Sequence, residues 1–191
     1  MESPLLAIQL LWINLVTDSF PAIALGLERE EKDIMNRKPR NSKESIFAGG
    51  LWQKIITEGV MLGCLTLFAF SLGTRLFGLT VGRTMAFVAL GMLELVHSFN
   101  VKSEESIFKV GVFENKYLIG SLLLGTLLQV IVVVVPYFAN IFELVPLTGI
   151  QWIYTGMISV VPIVVGEVQK KLKEIGKNKK LYLSSKNSIN Y

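Results

Sequence analysis

The sequence predicts an all-α fold, a polytopic transmembrane helix bundle with about five spanning helices. Three observations lead there. Hydrophobic residues make up 51% of the 191 residues and mean hydropathy is +0.51, high for a domain that lives in water. The apolar residues are gathered in blocks of about 20, the length that crosses a bilayer as a helix. The charged residues fall mainly in the segments between those blocks.

In chain order, the first span is expected at about Leu5 to Leu27 and the second at about Leu51 to Leu72. GTRLFGLTVGRT then reads as a turn into a short third span, about Thr84 to Phe99. A polar loop from Asn100 to Lys116 leads to the fourth span, Tyr117 to Phe138. ANIFELVPLTG is a second turn, and Ile150 to Val168 is the fifth span. Residues 1–175 form one membrane unit, and 176–191 a loose tail rich in Lys, Ser and Asn. Met1 is followed by Glu2 and Pro4 without a basic n-region, so no cleavable signal peptide is expected.

Orientation follows from Lys and Arg. Of the 19, 17 lie in the loop after the first span, at Lys54, in the loop before the fourth span, or in the tail; only Arg75 and Arg83 lie at the opposite end. Basic residues stay on the cytoplasmic side, which places those loops and the C-terminus there. The formal charge of +4 therefore calls for no nucleic-acid partner. One cysteine, Cys64, permits no disulfide within the chain and makes a thiolate metal centre improbable.

The chemistry is concentrated in QLLWINLVTDSFPAIALGLE, Gln9 to Glu28. A carboxylate inside an apolar span is costly, and its default meaning is an ion or proton pathway. Asn14, Thr17 and Asp18 stand at i, i+3 and i+4, one face of an α-helix. Amide, hydroxyl and carboxylate oxygens suit a hard cation such as Ca²⁺. Pro21 removes a backbone donor, which weakens the helix and frees a carbonyl near the cluster. The bland alternative for the trio is hydrogen bonding between helices. Glu94, in LELVHSFN, is either a further ligand or a buried, uncharged acid.

Other polar positions read as structural. His97 is one turn from Glu94 and is expected to pack with a hydrogen bond near the cytoplasmic interface. Glu58, beside Thr57, Gly59 and Gly63, marks a helix contact, and Gly73 also permits close approach. Glu167 and Lys170 form an interfacial pair, Gln129 a helix-to-helix hydrogen bond, and Trp52 an interfacial anchor.

The run Gln9 to Glu28, followed by DIMNRKPR at Asp33 to Arg40, closely resembles the sixth transmembrane helix and following cytoplasmic loop of P-type cation ATPases. Calcium-transporting pumps of the bacterial and sarcoplasmic-reticulum type are the nearest. The resemblance extends to about Lys173 and corresponds to the C-terminal transmembrane region, helices six to ten. It implies that Asn14, Thr17 and Asp18 are Ca²⁺ ligands, that Asp18 bridges two sites, and that Glu94 is a ligand from the eighth helix. It implies a translocase driven by ATP with Mg²⁺, both used by domains absent from this chain. Its partners are then the lipid bilayer and the rest of the pump: helices one to five and the phosphorylation domain, on which the loop Glu28 to Ser45 docks. Alternating access follows, with phosphorylation elsewhere changing the number and geometry of oxygens around Ca²⁺.

Some features depart from the pattern. Sodium and proton/potassium pumps usually carry Asp where this chain has Asn14, which argues for the calcium branch. Ser19 replaces a common Gly and should stiffen an unwound segment, and His97 stands where Asn is frequent. The loop after the second span is short, which favours a bacterial plasma membrane. The phosphorylation motif DKTG is absent, so the chain alone cannot hydrolyse ATP by the family mechanism. An independent channel or secondary transporter, or a Mn²⁺ pump, is the competing expectation.

Overall fold

The computed structural model describes residues 3–28, 35, 45, 50–103, 106–107, 111 and 113–189, with side chains described to 176. The loop after the first span, with DIMNRKPR, lies almost entirely outside the described residues. The elements are α1 (Ala7–Trp12), a π-helical segment (Ile13–Asp18), α2 (Ser19–Gly26), α3 (Leu51–Phe77), α4 (Leu79–Val101), α5 (Lys116–Val134), α6 (Pro136–Ile141) and α7 (Gly149–Ile189). No strand occurs among the described residues. Five helical stretches are long and apolar enough to cross a membrane: Ala7–Gly26, Leu51–Phe77, Leu79–Val101, Lys116–Val134 and Gly149–Gly176.

Helix α4 is the axis of the bundle. Its membrane window is 61% buried, against 11% for α3. Met85, Ala86, Phe87, Ala89, Leu93 and Leu95 are fully enclosed, packed between the first span, α3, α5 and α7. Around it Ile13, Phe87, Val88, Val132 and Val133 form one core, and Ala24, Phe99, Ile107 and Leu118 a second. Apolar faces that α4 does not cover, such as Ile23, Val60, Phe68 and Leu124, are exposed, as expected where the solvent is hydrocarbon.

Several boundaries differ from the sequence expectation; the second span runs on to Phe77 and the fifth, expected to end at Val168, to Gly176. The third span is not short: α4 begins at Leu79, and the supposed turn GTRLFGLTVGRT is helical on both sides of a single connector, Gly78. Gly78 has φ +94° and ψ 165°, a conformation open to glycine alone, so one residue reverses the chain. The flanking glycines serve the crossing. A Cβ on Gly73 would lie 2.8 Å from Gly82 Cα, so the two backbones are in contact there. Gly59 and Gly63 meet nothing within 4 Å and do not mediate a close approach among the described residues.

The fourth span also ends early, at Val134 rather than Phe138. Pro136 cannot donate to the helical ladder and holds Val135 extended, at φ −80° and ψ 116°; α6 then restarts with the proline in its first turn. At the other end of α5, Asn115 caps the helix by accepting from the amides of Tyr117 and Leu118. The backbone of 177–189 continues α7.

Candidate ion-binding site

The three oxygen-bearing residues of the first span all fall within the π-helical segment. Instead of unwinding, the helix widens, and the chain stays helical from Ala7 to Gly26. Two local features favour the wide turn. Pro21 offers no N–H to the carbonyl four residues back. The Thr17 hydroxyl donates back to Ile13 O at 2.8 Å, a bond that competes with the backbone ladder and bends helices. Such wide turns occur mostly as single interruptions at functional positions.

Widening also corrects the expectation of one shared face. Thr17 is 1% exposed and turned into the bundle, whereas Asn14 and Asp18 are exposed. Thr17 Oγ1 lies 2.7 Å from Glu94 Oε2 on α4, which unites two predicted site residues 77 positions apart. The hydroxyl has one proton for two acceptors, Ile13 O and the Glu94 carboxylate. Ser19 reaches back to Asn14 O at 3.4 Å. The result is an open arrangement, with a hydroxyl and a carboxylate meeting between helices while an amide and a second carboxylate stand on the uncovered side.

This set supplies hard oxygens but not a closed shell. Ca²⁺ takes six to eight oxygens, and among the described residues no group of three or more His, Cys, Asp or Glu is placed to hold a metal.

The surroundings are tied together by hydrogen bonds between helices. Trp12 Nε1 donates to Gln129 Oε1 at 3.1 Å, and Gln129 Nε2 donates to Phe87 O at 3.1 Å, joining the first span, α5 and α4 through the helix-to-helix bond expected of Gln129. Gln9 is fully buried and donates to Phe142 O at 2.9 Å. His97 faces α3 and pairs with Glu58 at 3.3 Å, away from the Glu94 cluster. Glu58 also pairs with Lys54 at 4.0 Å, so both are placed as helix-contact residues. Glu167 pairs with Lys170 at 3.7 Å and also accepts from Ser106 Oγ and from Ile107 N.

One cluster was not foreseen. Two residues past the end of α2, Glu28 accepts from Asn115 Nδ2 at 2.6 Å and pairs with Lys102 Nζ at 3.6 Å. Asn115 also donates to Ala24 O, and Lys102 to Gly111 O. The first span, α4 and the start of α5 are thereby tied together beyond the two helices that carry Thr17 and Glu94. Nothing in local spacing relates positions 28, 102 and 115.

A family profile described as "Cation transporting ATPase, C-terminus" matches residues 2–172. The chain is 42% identical over 190 residues to "Calcium-transporting ATPase 1" of Bacillus cereus, an alignment covering 90% of this chain and 21% of that protein. It is 40% identical over 161 residues to "Calcium-transporting ATPase" of Bacillus subtilis, covering 83% of the chain and 18% of that protein. Similarity reaches "Calcium-transporting ATPase type 2C member 1" of Mus musculus, at 29% over 182 residues, covering 92% of the chain and 20% of that protein. The chain thus spans about a fifth of the length of the curated relatives it matches.

Proposed function

The chain belongs to the cation-transporting ATPase C-terminus family, and from that premise we propose that it is the membrane-domain portion of an ATP-driven Ca²⁺ pump. Ca²⁺ is the transported substrate, and Asn14, Thr17, Asp18 and Glu94 are its ligands in this chain. ATP and Mg²⁺ act in parts of the pump outside it. Residues 1–175 make up the membrane unit, with the loops after the first and third spans and the C-terminus on the cytoplasmic side of a bacterial plasma membrane. The loop 28–45 couples the ion site to the phosphorylation domain.

The observation that carries this reading is the convergence of Thr17 and Glu94 at 2.7 Å across two helices, inside a wide turn that also holds Asn14 and Asp18. The half-open geometry supports a shared shell, in which helices from the rest of the pump supply the remaining oxygens. Affinity then depends on helix arrangement, because moving one wall changes the ligand count. That is the requirement for alternating access driven from a distant phosphorylation site.

The test is Asp18→Asn in the full-length protein, with Ca²⁺-dependent phosphorylation by ATP as the readout. The substitution keeps the side chain's size and removes a charge from the exposed side of the wide turn. Phosphorylation should be lost or severely reduced at Ca²⁺ levels that saturate the wild type. Normal Ca²⁺ activation in that variant refutes the ligand assignment.

A further inference from the structure

At the lysine-rich end of the bundle, a small cleft lies between α3, α4 and α7. It is lined by Lys54, Glu58, Asn100, Lys170 and Lys173, with Gly166 forming part of the wall. We propose that this cleft binds the phosphate of an anionic glycerophospholipid headgroup that carries its own hydroxyl, the phosphatidylglycerol class.

Charge selects the anion. Three ammonium groups face one lining carboxylate, Glu58. The neighbouring carboxylate, Glu167, is already engaged by Ser106 and Ile107 N. Lys54 and Lys170 stand at 4.0 Å and 3.7 Å from their carboxylates, and among the described residues the buried Lys170 Nζ has no close hydrogen-bond acceptor beyond that long ion pair. Ammonium donors therefore remain available to phosphate oxygens.

The inner wall selects the rest of the ligand. Asn100 is 3% exposed, and its Nδ2 donates to Pro162 O at 2.6 Å, which fixes the amide orientation. Its Oδ1 is left as a buried acceptor without a partner among the described residues. Glu58, paired with Lys54 and His97, lines the same cleft. Gly166 lies so close that an added Cβ would stand 2.7 Å from Asn100 Oδ1. The cleft thus presents cations together with an inner acceptor. A phosphodiester satisfies the first and a headgroup hydroxyl the second. Choline offers no donor, and its cation cancels the phosphate charge. The position favours lipid over a soluble phosphate. Lys54 is in the first turn of α3, Asn100 in the last turn of α4 and Lys170 near the end of the fifth span, the depth at which basic pockets between helices meet headgroups.

Native mass spectrometry of the delipidated full-length protein tests it, with phosphatidylglycerol, phosphatidylcholine and soluble glycerol phosphate added in separate titrations. One phosphatidylglycerol per protein should be retained at collision energies that strip phosphatidylcholine. Lys54→Gln with Lys173→Gln should lower that occupancy about tenfold, and the Arg pair at the same positions should restore it. Equal retention of both lipids, or unchanged retention in the Gln variant, overturns the proposal. Glycerol phosphate binding as tightly as the lipid overturns the lipid as the ligand.

Discussion

At the residue scale, Thr17 is the point where the first span and α4 meet chemically. Its hydroxyl is enclosed, and it is the only group of the first span shown bonding to Glu94 among the described residues. Thr17→Val keeps the branched shape and removes the donor, leaving a half-buried carboxylate short of a partner. On the proposed reading, Ca²⁺ activation of the full-length pump should shift to roughly tenfold higher concentration, the equivalent of one hydrogen bond to a charged group. Thr17→Ser should stay near wild type. Equal shifts in the two variants, read from the Ca²⁺ dependence of phosphorylation, point to packing rather than the hydroxyl. The candidates for the proposed site were legible in the sequence, because Asn14, Thr17, Asp18 and Glu94 interrupt apolar runs in which polar groups are costly. Its geometry was not. The i, i+3, i+4 rule assumes an α-turn, and the wide turn sends Thr17 inward while Asn14 and Asp18 stay exposed. The Thr17–Glu94 bond spans 77 positions and carries no local signal.

At the element scale, the α3–α4 hairpin depends on backbone contact. A Cβ on Gly82 would clash with the Thr74 side chain and lie 2.7 Å from Thr74 N and 2.9 Å from Phe70 O. Backbone atoms cannot rotate aside. Gly82→Ala should therefore destabilise the bundle by about 1–3 kcal/mol, the usual cost of overpacking, seen as a lower melting temperature in detergent. Gly59→Ala, where an added Cβ meets nothing within 4 Å among the described residues, should be neutral or slightly stabilising, since alanine is the better helix former. A Gly82→Ala protein that melts like wild type would mean the crossing is looser than the backbone contact implies. Hydropathy found all five spans but misplaced these ends. Thr74, Arg75, Gly82 and Arg83 are polar or small, so the apolar signal fades there while the backbone stays helical. At Pro136 the reverse holds, because apolarity continues past the point where the backbone breaks.

At the scale of the whole molecule, the proposed orientation rests on the imbalance of Lys and Arg between the two ends of the bundle. Arg83, at the sparse end, donates from Nε to Ser3 O at 2.9 Å and fastens the chain's beginning to the start of α4. The Lys102–Glu28 pair and the lysine cleft lie at the opposite end. Cysteines placed at Lys177 and at Thr80, in a background where the exposed Cys64 is replaced, should label from opposite sides of intact cells. The impermeant reagent should reach position 80 only; labelling of position 177 from outside inverts the proposed topology.

The wide turn has a consequence for the whole first span that concerns angular drift. Its enclosed positions include Gln9, Ile13, Thr17 and Pro21, each four residues after the last. In an unbroken α-helix, each step of four overshoots a full turn by about 40°, so three steps carry the enclosed stripe about 120° around the axis. A turn that holds more residues takes that overshoot out. The stripe therefore continues to Ala24, which packs with Phe99 and Leu118. The segment that brings polar atoms into the apolar bundle is thus also the segment that keeps both halves of the helix facing the same core.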